Sequence, residues 1–402
     1  MNNIALTASR TCETTHPWLK FKVDMRSAAP TLWMALAECQ SKCEHIAGVP
    51  LQPENAEKLH LLFLAKGALA TTAIEGNTLS EAEVLQHLQG KLQLPPSREY
   101  LAQEIDNIVA GCNSIVDEIQ SRRPLTLTAD RIRHLNRYVL EKLPLDEGVM
   151  PGEIRRHEVT VARYRGAPAE DCEFLLGRLC EWLAGEEFAL QREDLSIASA
   201  ILKAVFAHLY LAWIHPFADG NGRTARLVEF QILIASGVPA PAAHLLSNHY
   251  NQTRTEYYRQ LDHASKSGGA VIPFIDYAVR GLLDGLRAQL KVIREQQWEV
   301  AWENHVHDCF RQLSGPNHER RKHLVLDLSK HAGPIPFNKL PEISARLATE
   351  YANRTKRTLA RDVNALLKMG LLRRDSNGVA AAKEVILAFL PIRANAKGKK
   401  EQ

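Results

Sequence analysis

Residues 215–226 read His-Pro-Phe-Ala-Asp-Gly-Asn-Gly-Arg-Thr-Ala-Arg and hold several residue types that could move a phosphate-containing group. His215 can accept a proton near neutral pH. Asp219 is an oxygen ligand of the kind that Mg2+ takes alongside substrate phosphates. A base and a metal-type carboxylate this close together predict chemistry at a phosphate.

The second half of this stretch supplies groups that would hold an anion. Gly220 and Gly222 let the backbone approach a phosphate and direct N–H groups at it, as in loops that open onto a helix N-terminus. Arg223 and Arg226 are three residues apart and therefore share one face of the helix that follows. Both arginines could reach a single polyphosphate.

Residues 215–226 resemble the Fic family motif, H-P-F-x-D/E-G-N-G-R-x-x-R, and match it at every specified position. Enzymes of that family move a nucleotide monophosphate onto a protein hydroxyl. The resemblance implies that ATP is the substrate, with Mg2+ held by Asp219, and that His215 is the general base for a Ser, Thr or Tyr hydroxyl of a target protein. The Doc toxins, a related family that transfers phosphate, carry lysine in place of Asp219, so the aspartate favours nucleotidyl transfer. The nucleotide base stays open.

The same resemblance assigns the remaining polar groups of the motif. Asn221, with the backbone of Gly220 and Gly222, would form the anion hole. Arg223 would bind the β-phosphate and Arg226 the γ-phosphate. Two residues on a later helix, Tyr258 and Ser265, fall where Fic proteins place groups near the adenine, whereas His208, two helical turns before His215, is interpreted as a packing residue outside the site.

An inhibitory segment is predicted at residues 71–76, Thr-Thr-Ala-Ile-Glu-Gly, which fit the Fic inhibitory pattern S/T-x-x-x-E-G/N. Glu75 would form a bidentate ion pair with Arg226. Arg226 would then be unavailable for the γ-phosphate, and ATP would bind in a pose unsuited to transfer. The same glutamate could also orient a water that removes AMP from a modified protein.

Residues 152–164 alternate apolar and polar side chains and predict a β-hairpin or an exposed edge strand. They resemble the Fic flap, with its Gly-x-x-Arg start at Gly152 and Arg155. An unpaired strand edge offers backbone groups to an incoming peptide, so the target is expected to dock on this flap by strand addition. The predicted docking residues are Val159, Thr160, Val161 and Ala162.

The chain as a whole is expected to be mostly α: a Fic-type helical bundle with a β-hairpin flap, and a C-terminal winged helix-turn-helix domain. Hydrophobic periodicity predicts helices at residues 28–46, 53–72, 100–119, 128–140, 173–183, 195–214 and 274–294. The predicted domains are an N-terminal helical region with the inhibitory segment (1–120), a catalytic core (121–295) and the winged helix (320–392).

The C-terminal prediction depends on three short helices, at residues 324–330, 340–348 and 355–369, followed by a hairpin at 370–379. The third helix resembles a recognition helix, because Lys356, Arg357 and Arg361 lie near its start. DNA is therefore one expected partner, although many winged helices dock proteins or form dimers instead. A DNA-binding regulator with an accessory or de-AMPylating Fic domain is the alternative function, and the sequence leaves a homodimer open.

Composition excludes several classes of protein. The 402 residues are 45% hydrophobic and 24% charged, as in ordinary globular proteins, and the net charge of +4 is too small to indicate nucleic-acid binding by itself. The seven cysteines form an odd number without a Cys-x-x-Cys pair, which argues against a disulfide framework or a zinc ribbon. No signal peptide is evident, and Lys203 and His208 interrupt the most apolar helix, so we expect a cytoplasmic protein without a membrane span.

Overall fold

The computed structural model describes residues 10–387, except residues 23, 124, 162–163 and 189–192. The chain divides into two compact units, Met1–Lys291 and Val292–Gln402. Helices dominate the described residues of both units and the strands are short, which confirms the predicted mostly-α fold class.

The first unit is built from helices and one short hairpin. The helices are α1 (Thr11–Thr15), α2 (Pro30–Ala47), α3 (Pro53–Ala73), α4 (Glu81–Leu88), α5 (Glu99–Gln120), α6 (Ala129–Leu140), α7 (Cys172–Leu183), α8 (Ser196–Ile214), α9 (Asn221–Ala235), α10 (Ala240–Ala243), α11 (Leu245–Gln252), α12 (Arg254–Lys266) and α13 (Ile272–Phe310), whose residues from Val292 onward belong to the second unit. The hairpin consists of β1 (Thr160–Val161) and β2 (Tyr164–Arg165), which pair antiparallel.

The α8 helix lies at the centre of this unit. It packs against α2, α7 and α9, and α9 in turn packs against α3, α5 and α6. A helix that is apolar on all sides must be buried on all sides. By length and composition α8 could cross a membrane, despite Lys203 and His208, but 72% of its apolar window is buried inside this fold. The apolar surface of α8 is therefore largely buried in the core of this unit.

Local sequence explains where the helices near the site begin. Pro53 occupies the first turn of α3, where its missing N–H costs nothing. Ser80 caps α4 in a capping box with Glu83, as the Ser-x-x-Glu spacing predicts. Thr128 caps α6 by accepting a hydrogen bond from the Arg131 N–H at 3.1 Å. These boundaries lie within a few residues of the predicted ones.

The second unit has its own apolar core. Its further elements are α14 (Pro316–Leu328), α15 (Ala345–Tyr351), α16 (Lys356–Lys368), β3 (Leu372–Asp375) and β4 (Gly378–Ala381). One buried cluster joins the C-terminal part of α13 to these elements, with members that include Trp302, Leu324, Leu347, Val363 and Val379. Ile335 forms an isolated bridge with Val379 and thereby extends the β3–β4 hairpin.

Helix lengths in this region differ from the predicted ones for identifiable reasons. α13 continues to Phe310 instead of ending at Arg294, because no Gly or Pro interrupts the chain and Trp302, Val306 and Phe310 repeat at helical spacing. α14 starts earlier, with Pro316 in its first turn. The predicted helix at 340–348 is split, since Pro341 belongs to a 3-10 turn and α15 starts only after its cap, Ser344.

Candidate active site

The loop between α8 and α9 carries the motif, and its backbone is bent at both ends. His215 is the C-cap of α8 and has left-handed dihedral angles (φ 51°, ψ 59°), which are uncommon for a residue other than glycine. Gly220, with φ 77°, is the N-cap of α9. Phe217 is only 1% exposed and anchors the loop in the core. At this bend the His215 side chain leaves the axis of α8 and lines the cavity described below.

Asn221 fixes the shape of this loop with its side chain. Its Oδ1 accepts a hydrogen bond from the Phe217 N–H at 2.9 Å, and its Nδ2 donates to the Phe217 carbonyl at 2.8 Å. The side-chain amide is therefore already used within the loop. This leaves the N–H groups of the first turn of α9, which have no partner within a helix, as the groups that can meet an anion.

Arg155 connects the base of the flap to the motif. It is 4% exposed, and its Nε donates to the His215 carbonyl at 2.7 Å. Its Nη1 donates to the His157 carbonyl at 2.7 Å, and its Nη2 to that of Ala167. The Arg155 N–H donates to the Pro216 carbonyl at 3.0 Å. One buried guanidinium thus holds the strained residue at the end of α8.

The flap forms a hairpin, as predicted. Thr160 pairs with Arg165 and Val161 with Tyr164, and both residues of β1 are exposed. The Val159 carbonyl accepts a hydrogen bond from Gly166 at 3.1 Å. Of the predicted docking residues, Val159, Thr160 and Val161 lie on this hairpin, whereas Ala162 lies outside the described residues.

A cavity of about 750 Å³ opens between the flap, the motif and α12. This volume lies in the range of small-molecule sites. Its walls include Glu75 of the inhibitory segment, Val161 and Tyr164 of the flap, and His215, Asn221 and Gly222 of the motif. From α12 come Tyr257, Tyr258 and Asp262. The structure thus brings the predicted base, inhibitory and flap residues to one cavity.

Glu75 covers Arg226 at the edge of this cavity. Arg226 Nη2 donates to Glu75 Oε1 at 2.5 Å and to the Thr71 carbonyl at 2.8 Å, and the arginine is 2% exposed. The predicted pair is present, but it uses one guanidinium nitrogen, so the expected bidentate geometry is wrong. The second hydrogen bond of Nη2 goes to the backbone of α3. Within the described chain, Nε and Nη1 of Arg226 have no hydrogen-bond partner.

Comparison with known proteins agrees with this geometry. Residues 126–233, from the start of α6 to α9, match the model of the Fic/DOC family. This stretch forms a Fic/DOC-family domain. The protein adenylyltransferase fic-1 of Caenorhabditis elegans is 31% identical over 210 residues, which are 52% of this chain and 38% of that protein. The protein adenylyltransferase Fic of Nematostella vectensis is 30% identical over 214 residues, 52% of this chain and 45% of that protein. The chain thus spans less than half the length of these two relatives.

Solved structures share the fold. A Fic family protein from Desulfovibrio desulfuricans G20 aligns with a TM-score of 0.52 over 89% of this chain and 94% of that one, at 19% identity. Fic-1 (aa134–508) from C. elegans aligns with a TM-score of 0.53 at 25% identity, over 66% of this chain and 73% of that one. The likeness at 19% identity concerns the fold alone.

Burial sets the proton affinity of His215 in the Fic domain. The pKa of the imidazole is lowered to about 4, chiefly because the ring is removed from water; a hydrogen bond with the Ala212 backbone partly opposes this effect, and the nearby Arg155 adds to it. The side chain is therefore neutral at physiological pH. A neutral imidazole is the form that accepts a proton.

Glu75 is ionised in its contact with the buried Arg226, and its own side chain is 33% exposed. Desolvation raises the pKa of its carboxyl, but Arg226, with smaller contributions from Arg223 and His215, outweighs desolvation and holds the pKa below its usual range. The Glu75–Arg226 contact is consequently a true ion pair. Loss of the carboxylate would leave the Arg226 guanidinium, whose side chain is 1% exposed, without a counter-charge. Breaking a fully buried pair typically costs about 3–5 kcal/mol, and the cost is smaller here because Glu75 is partly exposed.

Asp219 is suited to a metal ion that arrives with a nucleotide. Its side chain is 47% exposed, and Oδ1 accepts a hydrogen bond from the Gly220 N–H at 2.5 Å. Arg223 Nη2 approaches the two carboxylate oxygens at 3.2 and 3.3 Å. Among the described residues no group of three or more His, Cys, Asp or Glu side chains could hold a metal ion by itself. One exposed carboxylate fits Mg2+, which keeps waters and takes substrate phosphates as ligands.

Five of the predicted nucleotide-binding residues do not line the cavity: Asp219, Gly220, Arg223, Arg226 and Ser265. Arg223 instead lies between Asp219 and Glu104, whose Oε1 accepts a hydrogen bond from Arg223 Nη1 at 2.8 Å. Arg226 lies beneath Glu75. Ser265 is 5% exposed, and its hydroxyl donates to the Asp262 carbonyl at 3.0 Å, within its own helix. Tyr258, by contrast, does line the cavity and is 41% exposed.

Sequence reasoning missed the buried residues that support the motif. Asn136 of α6 is 0% exposed and donates through Nδ2 to the Asp219 carbonyl at 3.0 Å and to Thr224 Oγ1 at 3.1 Å. Its Oδ1 accepts from the Gly152 N–H at 2.8 Å, so it joins the motif to the start of the flap. No local pattern marks this asparagine, because its partners are distant in sequence.

His208 is buried, as predicted, but it also lines the cavity. Its Nε2 lies 2.8 Å from the Tyr257 hydroxyl, and its Nδ1 lies 3.1 Å from Glu229 Oε2. Glu229 is 1% exposed and accepts a hydrogen bond from the Tyr250 hydroxyl at 3.0 Å. The packing interpretation of His208 therefore omitted a polar cluster behind the cavity wall.

Proposed function

We propose that this protein is a protein adenylyltransferase, which transfers AMP from ATP to a Ser, Thr or Tyr hydroxyl of a target protein and to itself. The observation that carries the proposal is the position of His215, a neutral imidazole at the wall of a nucleotide-sized cavity and directly before the N-terminus of α9. The family match and the names of the relatives support the same activity.

In the proposed reaction the target hydroxyl oxygen attacks the α-phosphorus of ATP. A new P–O bond forms, the bond between the α- and β-phosphates breaks, and pyrophosphate leaves. The hydroxyl proton passes to His215. Alignment of these groups is the main contribution of the protein, because phosphoryl-type transfers depend chiefly on positioning and charge stabilisation.

The polyphosphate would bind at the start of α9. Free N–H groups of the first turn and the partial positive charge of the helix end favour an anion there. Arg223 and Arg226 follow in the same helix and are assigned to the β- and γ-phosphates. Mg2+, held by Asp219 and the phosphates, would offset charge on the leaving pyrophosphate.

The protein is proposed to be inhibited by its own Glu75. The carboxylate of Glu75 occupies the Arg226 Nη2 group that the γ-phosphate would need. ATP that binds without Arg226 would lack one anchor of its triphosphate. Activation would require a movement of the inhibitory segment away from α9.

The target is proposed to dock on the flap. β1 is exposed and pairs with β2 on one side, so its other edge could add a strand from the target. The Arg155 contacts connect this hairpin with His215, which would place the incoming hydroxyl near the base. Because main-chain hydrogen bonds would carry the contact, many target sequences could fit.

Label transfer from α-labelled ATP tests this proposal. We expect the Glu75→Gly protein to modify itself far more than the wild type does, and Glu75→Gly/His215→Ala to show no transfer. Mass spectrometry of the Glu75→Gly protein after incubation with mixed nucleotides would identify the transferred group. An added phosphate, or no added mass, would contradict adenylyl transfer. Incubation of the modified protein with wild type then tests whether AMP is removed.

DNA binding by the second unit is the second candidate. One face of α16 exposes Arg357, Arg361 and Lys368, while Leu359 and Val363 are buried on the opposite side. Arg373 and Arg374 on β3 are also exposed. Such a basic helix beside a basic hairpin favours phosphate contacts. A gel-shift assay at two salt concentrations, with Arg357→Ala/Arg361→Ala as the control, would detect it.

A further inference from the structure

Glu104 of α5 lies between the inhibitory segment and the motif, and each of its carboxylate oxygens has its own partner. Oε1 accepts a hydrogen bond from Arg223 Nη1 at 2.8 Å, and Oε2 accepts one from Asn77 Nδ2 at 2.8 Å. The Glu104 side chain is 14% exposed and that of Arg223 7%. Asn77 follows Glu75 by two residues. One carboxylate therefore contacts both an arginine of the motif and the turn that presents Glu75.

Asn77 holds this turn through every polar atom of its side chain. Besides its bond to Glu104, Nδ2 donates to the Leu101 carbonyl at 2.9 Å, and Oδ1 accepts from the Leu79 N–H at 3.0 Å. The residue is 7% exposed, and its N–H donates to the Thr72 carbonyl at 3.2 Å. The turn after Glu75 is thus attached to α5 by two hydrogen bonds from one amide.

Arg223 has two carboxylate neighbours that compete for it. Its bond to Glu104 is shorter than its contacts with Asp219, which measure 3.2 and 3.3 Å. Glu104 is also the more buried of the two carboxylates, so its interaction with the guanidinium is less weakened by water. Without Glu104, Arg223 would be drawn toward Asp219 and away from its present position.

We propose that Glu104 is a positioning residue that couples the inhibitory segment to the motif: it holds Arg223 in place and, through Asn77, holds the turn that keeps Glu75 on Arg226. The proposal rests on the proposed inhibitory role of Glu75. It identifies the Asn77 turn, and its contact with α5, as the place where a movement would release Arg226.

The two hydrogen bonds of Glu104 explain why a carboxylate is needed. An amide in its place has one acceptor oxygen and one donor nitrogen. Glu104→Gln could accept from Arg223 or from Asn77, but its nitrogen would then face a donor on the other side. The isosteric substitution can therefore satisfy only one of the two links at a time, so it weakens both without changing side-chain volume.

Hydrogen exchange of the backbone at residues 71–80 tests the link without relying on catalysis. Asn77→Asp keeps the acceptor for the Leu79 N–H, loses both donated bonds, and places like charges beside each other. We expect exchange in this segment to become about tenfold faster in Asn77→Asp and in Glu104→Gln, since loss of buried hydrogen bonds shifts a local opening equilibrium by this order. Asp106→Asn, on the same helix, breaks an exposed contact with His87 and serves as the matched control. Unchanged exchange in both variants would overturn the proposal.

Label transfer from α-labelled ATP separates the two roles of Glu104. Asn77→Asp should raise transfer about tenfold over wild type, yet change it less than about twofold when Glu75→Gly is already present. Glu104→Gln in the Glu75→Gly background should lower kcat/KM for ATP by about tenfold, because Arg223 is displaced. If Asn77→Asp lowers transfer in both backgrounds, the link is only structural. If Glu75→Gly itself transfers nothing, the proposed function fails, while the exchange result still decides the link.

Discussion

Gly222 leaves the space that the Glu75 carboxylate fills. A Cβ added to Gly222 would overlap Glu75 Oε1 and lie 3.1 Å from Arg226 Nη1. Gly222 lies in the first turn of α9 and is not in a left-handed conformation, so its backbone alone does not demand glycine. The second glycine of the motif therefore leaves room for the Glu75–Arg226 pair.

The effect of Gly222→Ala on the stability of the protein is expected to change sign with the residue at position 75. With Glu75 present, the added methyl group should push the carboxylate off Arg226 and destabilise the protein by about 1–3 kcal/mol, because the buried guanidinium loses its charged hydrogen-bond partner while the partly exposed Glu75 side chain can move aside. In Glu75→Gly the same change should be neutral or stabilising by roughly 0.5–1 kcal/mol, because alanine favours a helix. Chemical denaturation of the four proteins gives the double-mutant cycle. Equal destabilisation in both backgrounds would show that the methyl group meets something other than Glu75.

His215 is expected to titrate far below the usual range of histidine. Its pKa of about 4 means that the folded protein leaves it neutral where an unfolded chain, with a pKa near 6.5, would bind a proton. The unfolded state then binds more protons between these values, so stability should fall as the pH drops from about 6.5 to about 4. An NMR titration of the imidazole proton, assigned by its loss in His215→Ala, measures this directly. A midpoint near 6.5 would be inconsistent with the buried imidazole.

Asn136→Asp is expected to lower the rate of AMP transfer more than the same substitution at Asn107 does. The carboxylate keeps an acceptor for the Gly152 N–H but cannot donate to the Asp219 carbonyl, so the motif loop loses its tie to α6. In the Glu75→Gly background we expect about a tenfold loss of kcat. Asn107→Asp is the control, because Asn107 is also buried but donates to the Val139 and Glu141 carbonyls and not to a residue of the motif. Both should lose about 1–3 kcal/mol of stability, and only the first should lose activity.

The parts of the site that the sequence predicts are the ones made from neighbouring residues. The motif, the helix caps at Ser80 and Thr128 and the hairpin at 152–164 each follow from short patterns. The pair between Glu75 and Arg226 is distant in sequence and was expected only from the family resemblance. The geometry of the pair is not the expected bidentate one, because Arg226 Nη2 donates to both the Thr71 carbonyl and the Glu75 carboxylate.

The support behind the motif depends on tertiary packing, which one sequence does not reveal. Glu104 and Asn136 are single polar residues on amphipathic helices, and such residues are usually exposed to water. Here Asn136 is fully buried and Glu104 largely so, because α5 and α6 both pack against α9. The polar cluster around His208 and Glu229 is likewise buried by helix packing, in this case between α8 and α9. An apolar pattern locates the inner face of a helix but not the polar side chains that this face can hold.

The short loop between α8 and α9 brings two helix ends of opposite partial charge close together. α8 ends at Ile214, with His215 as its C-cap, and α9 begins at Asn221, so the negative end of one helix dipole and the positive end of another meet across a single short loop. The negative end of α8 favours a proton acceptor at His215, and the positive end of α9 favours an anion. Neither effect needs a distant charged side chain. The length of this loop therefore fixes the separation between the accepted proton and the bound phosphate, and an inserted residue should abolish transfer even with every side chain of the motif retained.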